Sequence, residues 1–101
     1  MNHERSFWVY ILTNRHNRVL YTGVTNNIHT RLLSHRRKDD PVGFTTRYNC
    51  WKLVYMEDHC YIENAISREK QIKAGNRARK VALIENINPD WRDLAEGWFD
   101  D

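Results

Sequence analysis

Residues 7–13, FWVYILT, and residues 19–24, VLYTGV, are two mostly apolar stretches. A polar run, residues 14–18, separates them. Both stretches are rich in β-branched and aromatic residues, which predicts two strands joined as an antiparallel hairpin. Side chains alternate between the faces of a strand. Tyr10 therefore shares a face with Leu12, and Val9 with Ile11. In the second strand Tyr21 shares a face with Gly23. The hairpin makes Tyr10 and Tyr21 neighbours on one face, with Gly23 leaving room beside them.

The period then changes. From Asn26 or Asn27, either of which can cap a helix, to about Lys38, Ile28 and Leu32 recur at helical spacing. Arg31 and His35 lie at the edge of that buried stripe, so they flank the contact between helix and sheet. DDPVG, residues 39–43, stops the helix. Residues 44–48, FTTRY, read as a continuing loop whose hydroxyls, aromatics and Arg47 can touch a nucleic-acid strand. WKLVYMED, residues 51–58, predicts a third strand in which Leu53, Tyr55 and Glu57 alternate with Lys52, Val54 and Met56. The first strand should pair with both others. Residues 61–74 predict a helix with Ile62, Ala65, Ile66 and Ile72 towards the core and Gly75 as its stop. Asn76 begins a third long helix that ends before Asn88-Pro89. Trp91, Leu94, Trp98 and Phe99 form an aromatic tail able to pack back. The fold class is α+β: a three-stranded antiparallel sheet flanked by helices.

Composition bounds this picture. A chain of 101 residues is one domain with one modest core. The expected unit spans 1–101, with a core at about 7–94 and an acidic aromatic tail at 95–101. No apolar run approaches membrane-spanning length, and no apolar segment follows the N-terminus as in a signal peptide, so a cytoplasmic protein without membrane contact is expected. Cys50 and Cys60 form no metal-binding spacing and read as two reduced thiols. The net charge of +3 hides an asymmetry: residues 1–84 carry 15 Lys/Arg against 7 Asp/Glu, and residues 85–101 one Arg against six acids. A basic body suits a phosphate-backbone binder. Lys70, Lys73, Arg77, Arg79 and Lys80 form a basic run able to grip phosphates, which would equally serve as a solvated face.

Tyr10, Tyr21, Arg31 and His35 are thus gathered by local structure, and all suit acid–base or phosphate chemistry. Each also has an ordinary use, as a strand aromatic or a helix-surface group. The pattern resembles the GIY-YIG nuclease family, in its small stand-alone bacterial branch. Tyr10 in WVY and Tyr21 in YTG match its two signature tyrosines, and Arg31 its helix arginine. His35 stands where the family has His or Tyr; Glu63 and Asn76 match a downstream glutamate and asparagine. Trp8 replaces a glycine of the first motif and Thr22 the isoleucine of the second. The resemblance covers roughly residues 7–94. It implies an endonuclease that hydrolyses DNA phosphodiester bonds with Mg²⁺ or Mn²⁺, in DNA repair or recombination.

Within that resemblance Glu63 is the metal ligand, beside the Ile62/Ile66 stripe. Arg31 meets the scissile phosphate, Tyr10 and Tyr21 are the alternatives for general base or water orientation, His35 relays a proton, and Asn76 braces the site. Arg47 and the basic run contact flanking phosphates. DNA is the expected partner, with RNA left open and a separate targeting protein as a further candidate partner. Two other readings compete: a nucleic-acid-binding module without turnover, and an interaction protein using its tail aromatics.

Overall fold

A computed structural model describes residues 6–99. β1 (Phe7–Thr13) and β2 (Leu20–Thr25) form the hairpin, followed by α1 (Ile28–Arg37), a single turn α2 (Phe44–Arg47), β3 (Lys52–His59), α3 (Ile62–Ala74) and α4 (Arg77–Ile87). The sheet order is β2-β1-β3, antiparallel throughout, as the patterning predicts. The hairpin is closed by Asn14, whose Oδ1 accepts from the Arg18 amide at 2.8 Å. Asn17 takes the left-handed conformation that asparagine tolerates.

Helices cover both faces of the sheet. On one face Tyr10, Leu12 and Leu53 pack with Ile28 and Leu32 of α1, and with Cys50 and Ala95. On the other, Val9, Ile11, Val54 and Tyr55 pack with Ala65 and Ile72 of α3 and Ile84 of α4. Leu32 is fully buried. Its truncation to alanine should therefore cost roughly 2–5 kcal/mol, the range for emptying a packed aliphatic site. The tail folds back: Trp98 and Phe99 lie against His29 of α1, and Arg36 packs over Trp51 and Phe99 while bonding Asp93.

Four local expectations are corrected. Residues 44–47 are helical rather than a loop. Ile62 and Ile66 of α3 remain 39% and 38% exposed, because the buried stripe runs through Ala65 and Ile72. Gly75 ends α3 with φ −75°, so no left-handed glycine cap forms. Strict alternation in β3 also fails. Ile11 pairs with Tyr55 and Leu12 with Leu53, leaving Val54 as an extra residue. This bulge sends Leu53 to the Tyr10 face and Tyr55 with Glu57 to the opposite one. Asn88 of the α4 C-cap donates to the Val54 carbonyl at 3.1 Å.

Candidate active site

Tyr10 and Tyr21 sit on the same face, as alternation requires, but they are not directly paired. Tyr10 lies opposite Gly23, and Tyr21 opposite Leu12. The missing side chain of Gly23 is what lets them meet. A β-carbon there would stand 2.6 Å from both Cζ and the hydroxyl oxygen of Tyr10. The Tyr10 ring thus passes directly over the β2 backbone, 6.3 Å from the Tyr21 ring centroid.

Beyond Gly23 the Tyr10 hydroxyl meets His35 Nε2 at 3.0 Å. The other ring nitrogen, Nδ1, lies 2.8 Å from Thr45 Oγ1. A neutral imidazole donates through one nitrogen and accepts through the other, so His35 is held from both sides. Burial, and then the nearby Arg31 charge, lower the His35 pKa and favour that neutral form. Burial also drives the Tyr10 phenol well above its ordinary range, with Tyr21 adding to the effect and Arg31 opposing it. Tyr10 is fully buried, and that burial favours its protonated form. It acts as a hydrogen-bonding brace beneath the site.

Above this layer a cleft of about 330 Å³ opens between α1 and α2, lined by Tyr21, Arg31, His35, Phe44 and Thr45, with Asp40 at its edge. Arg31 is solvent-facing and belongs to none of the ion pairs among the described residues. An unpaired guanidinium beside a cleft is available to a phosphate.

The expected carboxylate is placed differently. Glu63 stands in the exposed first turn of α3, two residues from Ala65 and so on the far side of the helix from the buried stripe. Glu69 lies on that stripe, between Ala65 and Ile72, and its side chain is only 12% exposed. Its carboxylate bonds Lys73 Nζ at 2.8 Å. The Lys73 pKa is raised chiefly by that bond, with the Tyr21 phenol contributing across the β2 edge. Glu69 is therefore the carboxylate of α3 on the helix face that packs against the sheet, whereas Glu63 faces away from it. The sequence carried a signal for it: its spacing from Ala65 and Ile72 matches one helix face. Thr45 carried none, because its contact with His35 exists only once α2 folds over α1.

Asn76 is the N-cap of α4, accepting from the Arg79 amide at 2.9 Å. Arg77 spends its guanidinium on the hairpin, donating to the carbonyls of Arg18 and Asn17. Arg79 and Lys80 line a separate groove with Arg68, against Ile72 and Leu83 on the α3–α4 face. Lys70 is exposed. The basic run is therefore dispersed, with Lys73 paired to Glu69. Arg47 is exposed at the mouth of the cleft, its guanidinium 5.6 Å over the Tyr48 ring.

Comparison with known proteins shows the family and the fold. Residues 6–82 match the model of the GIY-YIG catalytic domain. The chain belongs to the GIY-YIG nuclease family. A UPF0213 protein of Syntrophus aciditrophicus (strain SB) is 37% identical over 83 residues, covering 82% of this chain and 93% of its own. The GIY-YIG fold is also matched by the solution NMR structure of a UPF0213 protein from Bacillus halodurans. There the TM-score is 0.57 at 22% identity, over 91% of this chain and 96% of that one. Both β1, with WVY, and β2, with YTG and Gly23, lie within the matched span. Among the described residues no helix is long and apolar enough to cross a membrane.

Proposed function

We propose that this protein is an endonuclease that hydrolyses DNA phosphodiester bonds with the help of Mg²⁺ or Mn²⁺, in repair or recombination of DNA. The observation that carries the reading is the layered site: a buried Tyr10–His35–Thr45 network supporting a cleft that holds Tyr21 and an unpaired Arg31.

Arg31 takes the phosphate and stabilises charge that grows on its oxygens in the transition state. Tyr21, on the cleft wall, orients the attacking water. Tyr10 and Thr45 fix the His35 ring, so that its orientation is set before substrate arrives. Glu69 is the residue we assign to the cation, in place of Glu63. Among the described residues no cluster of three or more His, Cys, Asp or Glu side chains is assembled. One carboxylate suits Mg²⁺, which keeps most of its waters and shares the substrate phosphate. When bound, the cation supplies Lewis-acid stabilisation of the phosphoryl group. Lys73 pairs with the Glu69 carboxylate at 2.8 Å and holds it in place on α3.

The test is single-turnover cleavage of labelled DNA substrates with Mg²⁺, with Mn²⁺ and with a chelator. Cleavage should require the metal and be lost in Arg31→Ala while DNA binding persists. Binding without cleavage on every substrate and with either metal would make the protein a nucleic-acid-binding module instead.

A further inference from the structure

We propose that the strand entering this cleft is single-stranded DNA, and that its unpaired bases stack on Phe44 and Tyr48. The inference rests on the nuclease reading and adds the form of the substrate. A row of rings leads out of the cleft. Phe44 lies 5.9 Å from Tyr21, centroid to centroid, with the ring planes 30° apart. Tyr48 lies 4.7 Å from Phe44 at 44°. Arg47 sits over the outer ring. Although they pack on each other, Phe44 and Tyr48 remain 45% and 43% exposed. Two large aromatics are thus left in water beside an unpaired arginine.

This surface fits an unpaired strand and not a duplex. Stacking on aromatic rings requires a free base face, and every base has one, so the contact tolerates any sequence. In a duplex those faces are hidden, and only base edges are offered, in grooves wide enough for a helix or a ribbon. α2 is one turn of four residues and does not present such an element. The charges are arranged to match. Arg31 in the cleft lining and Arg47 over the outer ring both offer cations to a phosphate backbone. Asp40, also in the cleft lining, disfavours a phosphate at its own position.

The test separates stacking from phosphate attraction. The full chain, with metal chelated to prevent cleavage, is titrated with a short oligothymidine, an abasic strand of equal length and a duplex of equal length. Wild type should bind oligothymidine roughly 5- to 150-fold more tightly than the abasic strand, the range expected for one or more stacked bases. Phe44→Leu and Tyr48→Leu keep apolar bulk at the packed sites and should reduce that ratio towards one; Tyr48→Phe should preserve it. Circular dichroism checks that each variant is folded. Equal binding of oligothymidine and abasic strand by wild type overturns the proposal, as does a ratio that survives both leucine variants, or tighter binding of the duplex. If duplex is then cut with Mg²⁺, the nuclease reading stands without this one. If no strand is bound or cut, both fall.

Discussion

Two networks of the same residue types lie on opposite faces of the sheet. On the α1 face, Tyr10 bonds His35, and His35 bonds Thr45. On the α3 face, Tyr55 donates to Glu57, which also pairs with His59 at 2.7 Å and Arg68 at 3.0 Å. The second is the more heavily bonded, yet its charges are answered within it. Glu57 takes the tyrosine, the histidine and the arginine, and Arg68 spends a further donor on Gln71. The first contains no carboxylate, and Arg31 stands beside it without an ionic partner. A tyrosine, a histidine and an arginine do not by themselves make a site. What distinguishes the α1-face network is a positive charge left unbalanced at the wall of a cleft.

The largest test of that distinction is a pair of arginine variants. Arg31→Ala should lower single-turnover cleavage about 10²- to 10³-fold, as expected for loss of one transition-state donor, with affinity for DNA changed far less. Arg68→Ala should leave the rate within about twofold. Its effect should fall on stability, by about 1–3 kcal/mol in urea unfolding, because Glu57 loses a partner in a partly screened setting. A large rate loss in Arg68→Ala would mean that the two faces are coupled.

The carboxylates supply a second contrast. Glu69→Gln should reduce Mg²⁺-dependent cleavage by orders of magnitude, whereas Glu63→Gln should cut like wild type. Both keep helix propensity, so the circular dichroism of each should be unchanged. The reverse ranking would return the metal to Glu63 and detach Lys73 from the site.

Gly23→Ala tests the support beneath the cleft. The new methyl group must displace the Tyr10 ring, costing roughly 1–3 kcal/mol by overpacking. Cleavage should fall with it, because His35 loses its brace. A fully active variant with unchanged melting behaviour would show that Tyr10 does not position His35.

The smallest effects lie in the pH dependence of stability. The His35 pKa is lowered by burial and Arg31, so its contribution is complete above the ordinary value of 6.5 and is lost as pH falls. Burial alone would raise the Glu57 carboxyl, but bonds from Tyr55, His59 and Arg68 outweigh it and hold it low. That contribution is complete above the ordinary value of 4.5 and drains only as pH falls towards the depressed one. Urea midpoints measured against pH should show two limbs. His35→Gln should flatten the one nearer neutrality, and Glu57→Gln the acidic one. If either variant flattened both, the networks would not be independent.

Much of this was legible in the chain because it is local. The hairpin, the shared face of Tyr10 and Tyr21, and the Ile28/Leu32 stripe all follow from period and short loops. So does the cap at Asn76. The errors came where packing chose between equivalent local patterns. α3 offers isoleucines at 62 and 66 as well as at 72, and only docking on the sheet selects the Ala65/Ile72 face. That choice turns Glu63 outward and Glu69 inward. Thr45 was invisible for a different reason: its partner is the His35 ring at 2.8 Å, a contact made only when α2 packs over α1.

The extra residue in β3 has a consequence for insertions and deletions. Surface loops absorb a change of one residue at little cost, but Val54 is a position where chain length sets side-chain identity on each face. Deleting it would leave the composition nearly untouched and still force a choice. Either Leu53 leaves the core beneath Tyr10, or Tyr55 and Glu57 rotate from their partners into it. Asn88 would lose its carbonyl acceptor in the same event, and with it the anchor of the segment that follows α4. A one-residue deletion there should thus be far more damaging than any substitution at Val54, and drift in length among related chains should accumulate around residues 14–18 and 38–43 instead.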